Sequence, residues 1–388
     1  MTIRIGFDAT PLLGPRSGVG SYTSRLLEAM LRTNPEWEYL LYSNRPLGPL
    51  EPELAQARPV VSRLPSKRLI WMQSLLPALI QRSQPDLCHF PNAMAPLWQP
   101  QPFVLTIHDA SLFLYSHYHP RMRLLSIRLT LPLLARRAAA VICVSHHARE
   151  ELVRILKLDP EKVYVVHEAA PAGYQPVADP HELERLRRKY RLPERFLLHV
   201  GTLEPRKNLP RLVRALHQIR QRGCDISLVL VGAQGWHLNG LGREIECLGL
   251  QDAVHFTGYV PGEDLPGLYS LATLFVFPSL YEGFGLPPIE AMACGAPVLC
   301  SDRGSLPEIC DGAAYMIDPE DEQALADGLL ALLGDAEWRA ELSRRGQARA
   351  RAFSWEKAAR ETALVYKRVL RPVTGDVAAL ARRSTRGV

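Results

Sequence analysis

No stretch of this 388-residue chain approaches the roughly 20 consecutive apolar residues that a membrane-spanning helix needs, because Arg or Pro interrupts every candidate run. The opening MTIRIGFDAT reads as a strand with no basic segment and apolar run ahead of it, so no secretory leader is expected and the cytosol is the expected location. Seven cysteines, an odd number without a C-x-x-C pair, argue against a disulfide framework and against a zinc site. Aromatic residues make up only 7% and are not interleaved with basic ones, so a stacking platform for nucleic acid is not expected. Internal repeats and low-complexity segments are missing as well.

The chain does contain enough apolar material for sizeable cores: 47% hydrophobic against 22% charged residues. Its length suits two domains of roughly 150–200 residues. A net charge of +6 and a pI near 9.0 would fit an anionic partner, but the excess is carried by Arg scattered on helices, so most of it reads as a solvated basic surface instead.

Short β-branched or apolar runs alternate with longer amphipathic stretches. Strands are expected at residues 3–7, 39–42, 60–64, 87–90, 104–108, 140–144 and 163–167, then again at 196–201, 227–231, 254–256, 274–277, 298–300 and 315–317. Strand–helix alternation implies parallel sheets with right-handed crossovers, and two such series imply two doubly wound α/β domains. Ligands are then expected at the carboxyl ends of the strands. The boundary falls at residues 170–193, a proline-bearing stretch with a charged helix at 181–190. The expected domains are residues 1–178 and 193–354, with a C-terminal helix over 355–372 packing back on the first domain and a frayed Arg-rich tail after it.

The segment LFVFPSLYEGFGLPPIEAMACGAPVLCSD, residues 274–302, is the most informative. It reads as strand, glycine loop, helix, strand, with Pro287 and Pro288 opening the helix and Gly295 and Pro297 ending it. A glycine-bearing loop that feeds a helix N-terminus is an anion site, because unpaired N–H groups converge there. Glu282 lies in the loop and Glu290 in the expected first turn, where the helix dipole alone would favour a carboxylate. As a pair, one carboxylate would meet sugar hydroxyls and the other ribose hydroxyls; simple helix stabilisation by Glu290 is the alternative.

The block EGFGLPPIE resembles the E-x7-E signature of the retaining GT-B glycosyltransferases of family 4. Further segments resemble that family in the same order: FDATPLLGPRSGVGSYTSRLL, TIHDASLFLYSHYHP, VSHHAREELVRILKLDPEKVYVVHEA, HVGTLEPRKNL, HFTGYVPGEDLPGLYSLATLFVFPS and SLPEI. The resemblance covers nearly the whole chain and implies a GT-B architecture, two Rossmann-like domains facing a cleft, with the donor held by the C-terminal one. It implies an enzyme that transfers a sugar from a nucleotide-diphosphate donor to a glycan or lipid-linked acceptor with retention, by front-face displacement without a protein nucleophile. Arg206 and Lys207 would hold the pyrophosphate, Arg as a bidentate fork and Lys as a compact charge. Many relatives carry another Arg where this chain has Thr202, which leaves one phosphate contact to a hydroxyl. No D-x-D pair is present, so no metal or other cofactor is expected. Charge on the leaving group falls to Arg206, Lys207 and the amides of Gly283, Phe284, Gly285 and Leu286.

The loop of Gly18, Val19 and Gly20, ahead of an expected helix at residues 22–31, would face the donor phosphates from the N-terminal domain; a tight strand-to-helix turn is the plain alternative. His108, with Asp109 beside it at a strand end, would sit near the reacting sugar, whereas His117 and His119 read as loop residues. Tyr259 and Val260 match the loop that brackets the base. Ser145 would line the acceptor cleft or cap the next helix, and Glu308 reads as a helix N-terminal carboxylate.

The wording of GTLEPRKN and LPPIEAMACG is most similar to bacterial mannosyltransferases of cell-surface polysaccharide assembly, which makes GDP-mannose the expected donor. The alternatives are a UDP-sugar (glucosyl, galactosyl or N-acetylglucosaminyl transfer), a sugar-nucleotide epimerase or phosphorylase-like enzyme, and a non-catalytic nucleotide-binding Rossmann pair. Two basic, apolar stretches at residues 63–82 (with Trp71) and 121–137 would rest peripherally on the inner face of an anionic membrane, or else pack as amphipathic helices on the sheet.

Overall fold

The computed structural model describes residues 2–14, 18–48, 52–62, 67–115, 121–233 and 240–371. The expectations for His117, His119 and the tail beyond residue 371 fall outside these residues. Seven strands form the first sheet: β1 (Arg4–Asp8), β2 (Glu38–Ser43), β3 (Arg58–Val61), β4 (Leu87–Phe90), β5 (Phe103–Ile107), β6 (Ala140–Cys143) and β7 (Val163–Val165). Six form the second: β8 (Phe196–Val200), β9 (Ser227–Val231), β10 (Val254–Gly258), β11 (Leu274–Phe277), β12 (Val298–Ser301) and β13 (Tyr315–Ile317). Each lies within a few residues of a run read from the sequence, since strands buried on both faces must be written in continuous apolar runs.

The spatial orders are β3-β2-β1-β4-β5-β6-β7 and β10-β9-β8-β11-β12-β13, and every strand pair is parallel. Each sheet starts near its middle, runs to one edge, then returns to build the other half. The strand order therefore reverses between β1 and β4 in one domain and between β8 and β11 in the other. Loops leaving those strands part there and open a crevice.

Helices α1 (Val19–Thr33), α2 (Arg68–Ser83), α3 (Ser111–Leu114), α4 (Arg121–Arg137) and α5 (His146–Leu156) belong to the first half, and α6 (Pro180–Lys189) links the two. The second half carries α7 (Leu209–Gln221), α8 (Leu241–Cys247), α9 (Leu265–Leu271), α10 (Leu286–Ala293), α11 (Leu306–Cys310), α12 (Glu322–Gly334), α13 (Ala336–Ala350) and α14 (Trp355–Leu370). Several start where the sequence supplies an oxygen for an orphan N–H: Ser145 accepts from Ala148, Asp321 from Ala324, Asp335 from Trp338 and Ser354 from Lys357. No helix among the described residues is long and apolar enough to cross a membrane.

Linker helix α6 is fastened to the second half. Buried Asp264, just before α9, accepts from Arg185 at 2.8 Å, Lys189 at 2.5 Å and Tyr190 at 2.5 Å. The last helix crosses the other way. α14 lies against α1, and its buried Tyr366 meets Nδ1 of His89 on β4 at 2.5 Å, while His89 Nε2 meets the Thr106 hydroxyl at 2.7 Å. Burial pushes the His89 imidazole down to about 3, so it serves as a neutral bridge between two hydroxyls. One apolar cluster consequently runs without a break from Ile5 and Phe7 of the first sheet, through Tyr366 and Ala359 of α14, to Phe275 and Phe277 of the second.

Tyr366→Ala removes a fully buried ring and leaves His89 without one partner. It is expected to lower stability by about 3–5 kcal/mol, read as the urea midpoint of the full chain. An unchanged midpoint would mean that α14 is not docked on β4.

Candidate functional site

β8 ends at Val200, and the chain then makes a short 3-10 turn, Pro205–Lys207, before α7. Asn208 sits between the two in the left-handed region (φ 60°), and its side-chain amide donates to the Pro278 carbonyl at 3.2 Å and the Pro319 carbonyl at 2.7 Å. It ties the β8 loop to the loops after β11 and β13. A backbone bond from Leu280 N to Arg206 O at 2.9 Å completes the join. Arg206 and Lys207 are thereby brought to the crevice between β8 and β11, against Glu282.

There the three side chains form one buried charge cluster. Glu282 Oε1 meets Lys207 Nζ at 2.7 Å and its Oε2 meets Arg206 Nη1 at 3.0 Å. Arg206 also donates to Glu204 Oε1 from Nη2 at 2.7 Å and to the Tyr281 carbonyl at 2.6 Å, and Lys207 stands 4.7 Å above the Phe277 ring. Burial alone would raise the Glu282 carboxyl, but the two cations outweigh it and hold it down at about 2. Lys207 moves down as well: burial and the neighbouring Arg206 charge both disfavour its ammonium, and the shared carboxylate offsets them only in part. Arg206 moves up despite burial, because Glu282, Asp109 and Glu204 all favour its charge. Sequence reasoning gave these residues separate tasks; folding makes them one electrostatic unit.

Gly283 follows in a position that admits no side chain: a Cβ there would lie 2.1 Å from the carbonyl oxygen of His108 in the other domain. Ser145 closes the same contact. Its hydroxyl donates to Gly283 O at 2.7 Å while accepting from Ala148 N at 3.0 Å, so it both caps α5 and touches the facing loop. Gly285 is the N-cap of α10 with φ 106°, a conformation costly for any residue bearing a Cβ. Behind the loop, Ser305 donates to Glu282 O from its amide at 3.2 Å and to Phe284 O from its hydroxyl at 2.7 Å. The N–H groups of Gly283, Phe284, Gly285 and Leu286 have no acceptor among the described residues. Pro287 and Pro288 carry no N–H, so free donors gather at the start of α10, as an anion site requires. The Phe284 side chain is buried edge-on to Phe353, ring centroids 5.7 Å apart.

Glu290 departs from expectation. α10 begins at Leu286, so Glu290 lies in the second turn, where the dipole gives it little. Its partner is the Tyr269 hydroxyl, which donates to it at 2.9 Å. Burial pushes its carboxyl up to about 7, the Tyr269 bond opposes the rise, and the charge of Glu168 from the first domain adds to it.

His108 follows β5 with both ring nitrogens engaged: Nδ1 with Glu168 Oε1 at 3.1 Å and Nε2 with the Pro91 carbonyl at 2.8 Å. Two acceptors call for two N–H donors. Burial disfavours the imidazolium, but Glu168 outweighs it and the pKa rises. With both nitrogens occupied and Tyr22 edge-on at 4.6 Å, His108 offers no free nitrogen as a base. Gly18 is the N-cap of α1, and Gly20 is already inside that helix, which begins at Val19 and not at residue 22. Thr202 is exposed after β8; beyond β10, Tyr259 is exposed and Val260 is buried. No hydrogen bond or ion pair among the described residues joins these three to the charge cluster.

Sequence reading missed the residues that join the domains. Glu308 does sit in the first turn of α11, yet its carboxylate caps α5 of the other domain, accepting from His146 N and His147 N at 3.0 Å each and meeting His167 Nε2 at 2.7 Å. Tyr281 donates to Glu151 at 2.5 Å and accepts from Ala110 N at 3.1 Å. No local motif marks Glu151, Glu168 or Tyr281 for these tasks, because each partner lies far away in sequence.

Residues 16–171 match the family described as "Glycosyltransferase Family 4" and residues 183–349 the family described as "Glycosyl transferases group 1". The chain is 32% identical over 387 residues to O-antigen chain mannosyltransferase B of Escherichia coli, covering 94% of this chain and all of that protein. It is 27% identical over 220 residues to O-antigen chain mannosyltransferase RfbU of Salmonella typhimurium, covering 57% of this chain and 58% of that one. Among solved structures, Anabaena Alr3699/HepE in complex with UDP and glucose superposes with a TM-score of 0.76 at 21% identity, covering 95% of this chain and 100% of that one.

Removing Glu282 strands two buried cations. Glu282→Ala is expected to cost about 3–5 kcal/mol, measured by urea unfolding. Adding Lys207→Met should recover part of that loss, since the two effects share one interaction. Strict additivity of the two losses would show that the cluster is not coupled.

Proposed function

The chain belongs to the glycosyltransferases built from a family 4 domain and a group 1 domain, and on that premise we propose that it transfers mannose from GDP-mannose to a glycan or lipid-linked acceptor in cell-surface polysaccharide assembly. The mannosyl assignment leans on the full-length likeness to an O-antigen mannosyltransferase. The observation that carries the chemistry is the pairing of Arg206 and Lys207 with Glu282 beside unpaired amides at the start of α10.

Breaking the sugar–phosphate bond leaves a nucleoside diphosphate whose growing charge must be met as it forms. Arg206 and Lys207 face that charge on one side and the amides of Gly283–Leu286 on the other. Donors fixed before the reaction need no reorganisation during it. As negative charge arrives, the cations are shared between Glu282 and the phosphates, so Glu282 sets both their positions and the cost of drawing them away. Its remaining acceptor capacity orients the sugar hydroxyls. Glu290 accepts from the ribose when ionised. His108, both of whose nitrogens are engaged by Glu168 and Pro91, positions its ring near the transferred sugar instead of taking a proton. In this reading the departing phosphate oxygen deprotonates the incoming hydroxyl on the same face, giving retention.

The deciding experiment follows sugar release and transfer from labelled GDP-mannose, UDP-glucose, UDP-galactose and UDP-N-acetylglucosamine. GDP-mannose is expected to be turned over at least tenfold faster than the others; turnover confined to a UDP-sugar would overturn the donor assignment. Glu282→Gln should lower kcat by about 100-fold or more with donor Kd changed only severalfold, whereas Glu290→Ala should weaken donor binding about tenfold. The Glu290 carboxyl lies near 7 and binds through its ionised form, so donor affinity should rise as pH increases from 6 to 8 and then level off. Glu290→Gln should abolish that slope.

The acceptor side gains support from α2 and α4, which both bury residues in the same apolar core against the first sheet. Neither carries an acidic residue, and both leave apolar side chains outside: Leu69 and Ile70 on α2, Leu129 (69% exposed) and Leu133 on α4, with Trp98 (59% exposed) between them. The loop bearing Trp98 is tied to α2 through Gln73, which accepts from Leu97 N at 2.9 Å, and to α4 through Arg137, which donates to Leu97 O. A basic face with protruding leucines suits the surface of an anionic bilayer. Wild-type protein is expected to co-sediment with vesicles containing phosphatidylglycerol at low salt, and Leu129→Glu/Leu133→Glu to bind at least fivefold less. Equal sedimentation of the two proteins, or none for the wild type, would remove the membrane contact.

A further inference from the structure

Among the described residues, one group of potential metal ligands converges, and none of its members belongs to the charge cluster. His146 at the start of α5, His167 after β7 and Glu308 on α11 each place a ligand atom within 4.8 Å of the others. We propose that these three side chains form a binding site for a divalent transition-metal cation of the zinc class, with ligands drawn from both domains.

Two imidazoles and a carboxylate, with a fourth position left to water, are a ligand set that zinc-class ions take. Nε2 of His167 and Oε1 of Glu308 stand 2.7 Å apart, now sharing a proton. Tetrahedral binding to one ion, with bonds near 2 Å, asks for roughly 3.3 Å between those atoms, a shift that rotation of the His167 side chain supplies. The imidazole of His146 has no hydrogen-bond partner among the described residues and is exposed, so solvent ions can reach it. Its ring lies 5.7 Å from that of His167, centroid to centroid. The Glu308 oxygens each accept an N–H from α5, which fixes the carboxylate in place and leaves further lone pairs for an ion. Binding releases the proton between His167 and Glu308 and puts a metal in its place.

The ligands straddle the crevice: His146 and His167 come from the first domain and Glu308 from the second. An occupied site would staple the domains in the arrangement where Gly283 abuts His108, and it would restrain opening. This proposal does not depend on the donor reading, and its test uses no activity measurement.

The full chain, untagged and carrying Cys224→Ser and Cys247→Ser so that the less buried thiols are absent, is titrated with zinc against a chromophoric chelator. One equivalent is expected to bind. His146→Ala and His167→Ala should each weaken binding at least tenfold, and zinc should raise Tm in the parent but not in these variants. His146→Ala deletes only an exposed ring and keeps the backbone N–H that Glu308 accepts, so its fold is not at risk. His147→Ala, outside the group, should bind as the parent does. Failure of the parent to bind zinc, or zinc affinity in His146→Ala and His167→Ala equal to the parent's, would overturn the site.

Discussion

Two buried cations share one buried carboxylate at the point where the second sheet reverses its strand order, and much of the molecule is arranged around that constraint. Arg206 and Lys207 arrive on a 3-10 turn that Asn208 fixes to its neighbours, and Glu282 arrives on a loop that Ser305 backs. Charges taken out of water are tolerable only when paired and further hydrogen-bonded. The loops of β8, β11 and β12 are consequently locked to one another by polar bonds as well as by packing. The same burial that makes the cluster costly to break also keeps water from screening the field it presents to an incoming anion.

The second constraint is contact between domains. Gly283 presses on the His108 carbonyl, Ser145 bonds Gly283, Tyr281 bonds Glu151, and Glu308 caps α5. Each of these pairs joins the second domain to the first. α14 adds an apolar tether, carrying one continuous core between the sheets. The crevice floor is thus built from both halves of the chain. Across it, the charge of Glu168 from the first domain adds to the rise of the Glu290 carboxyl.

Much of the architecture was legible in the sequence. Parallel strands buried on both faces appear as unbroken apolar runs, and their spacing admits a helix between each pair. The glycine loop and proline-opened helix at residues 283–288 carried their own local signal, since positive φ and missing N–H groups select those residue types. Glu290 shows where local reading stopped. The dipole argument placed it in a first turn, but the helix begins one residue earlier than its prolines suggest, and Tyr269, 21 residues away, became its partner.

By itself the sequence determined two doubly wound domains, the Arg206–Lys207 turn and the carboxylate-bearing loop, because periodicity, turn chemistry and capping are properties of neighbouring residues. Only the tertiary structure decided that Arg206, Lys207 and Glu282 act as one cluster, that His108 is held by Glu168, and that Glu308 serves the opposite domain. Charge pairing and burial depend on distances in space, and those are set when two sheets and a returning helix close on one another.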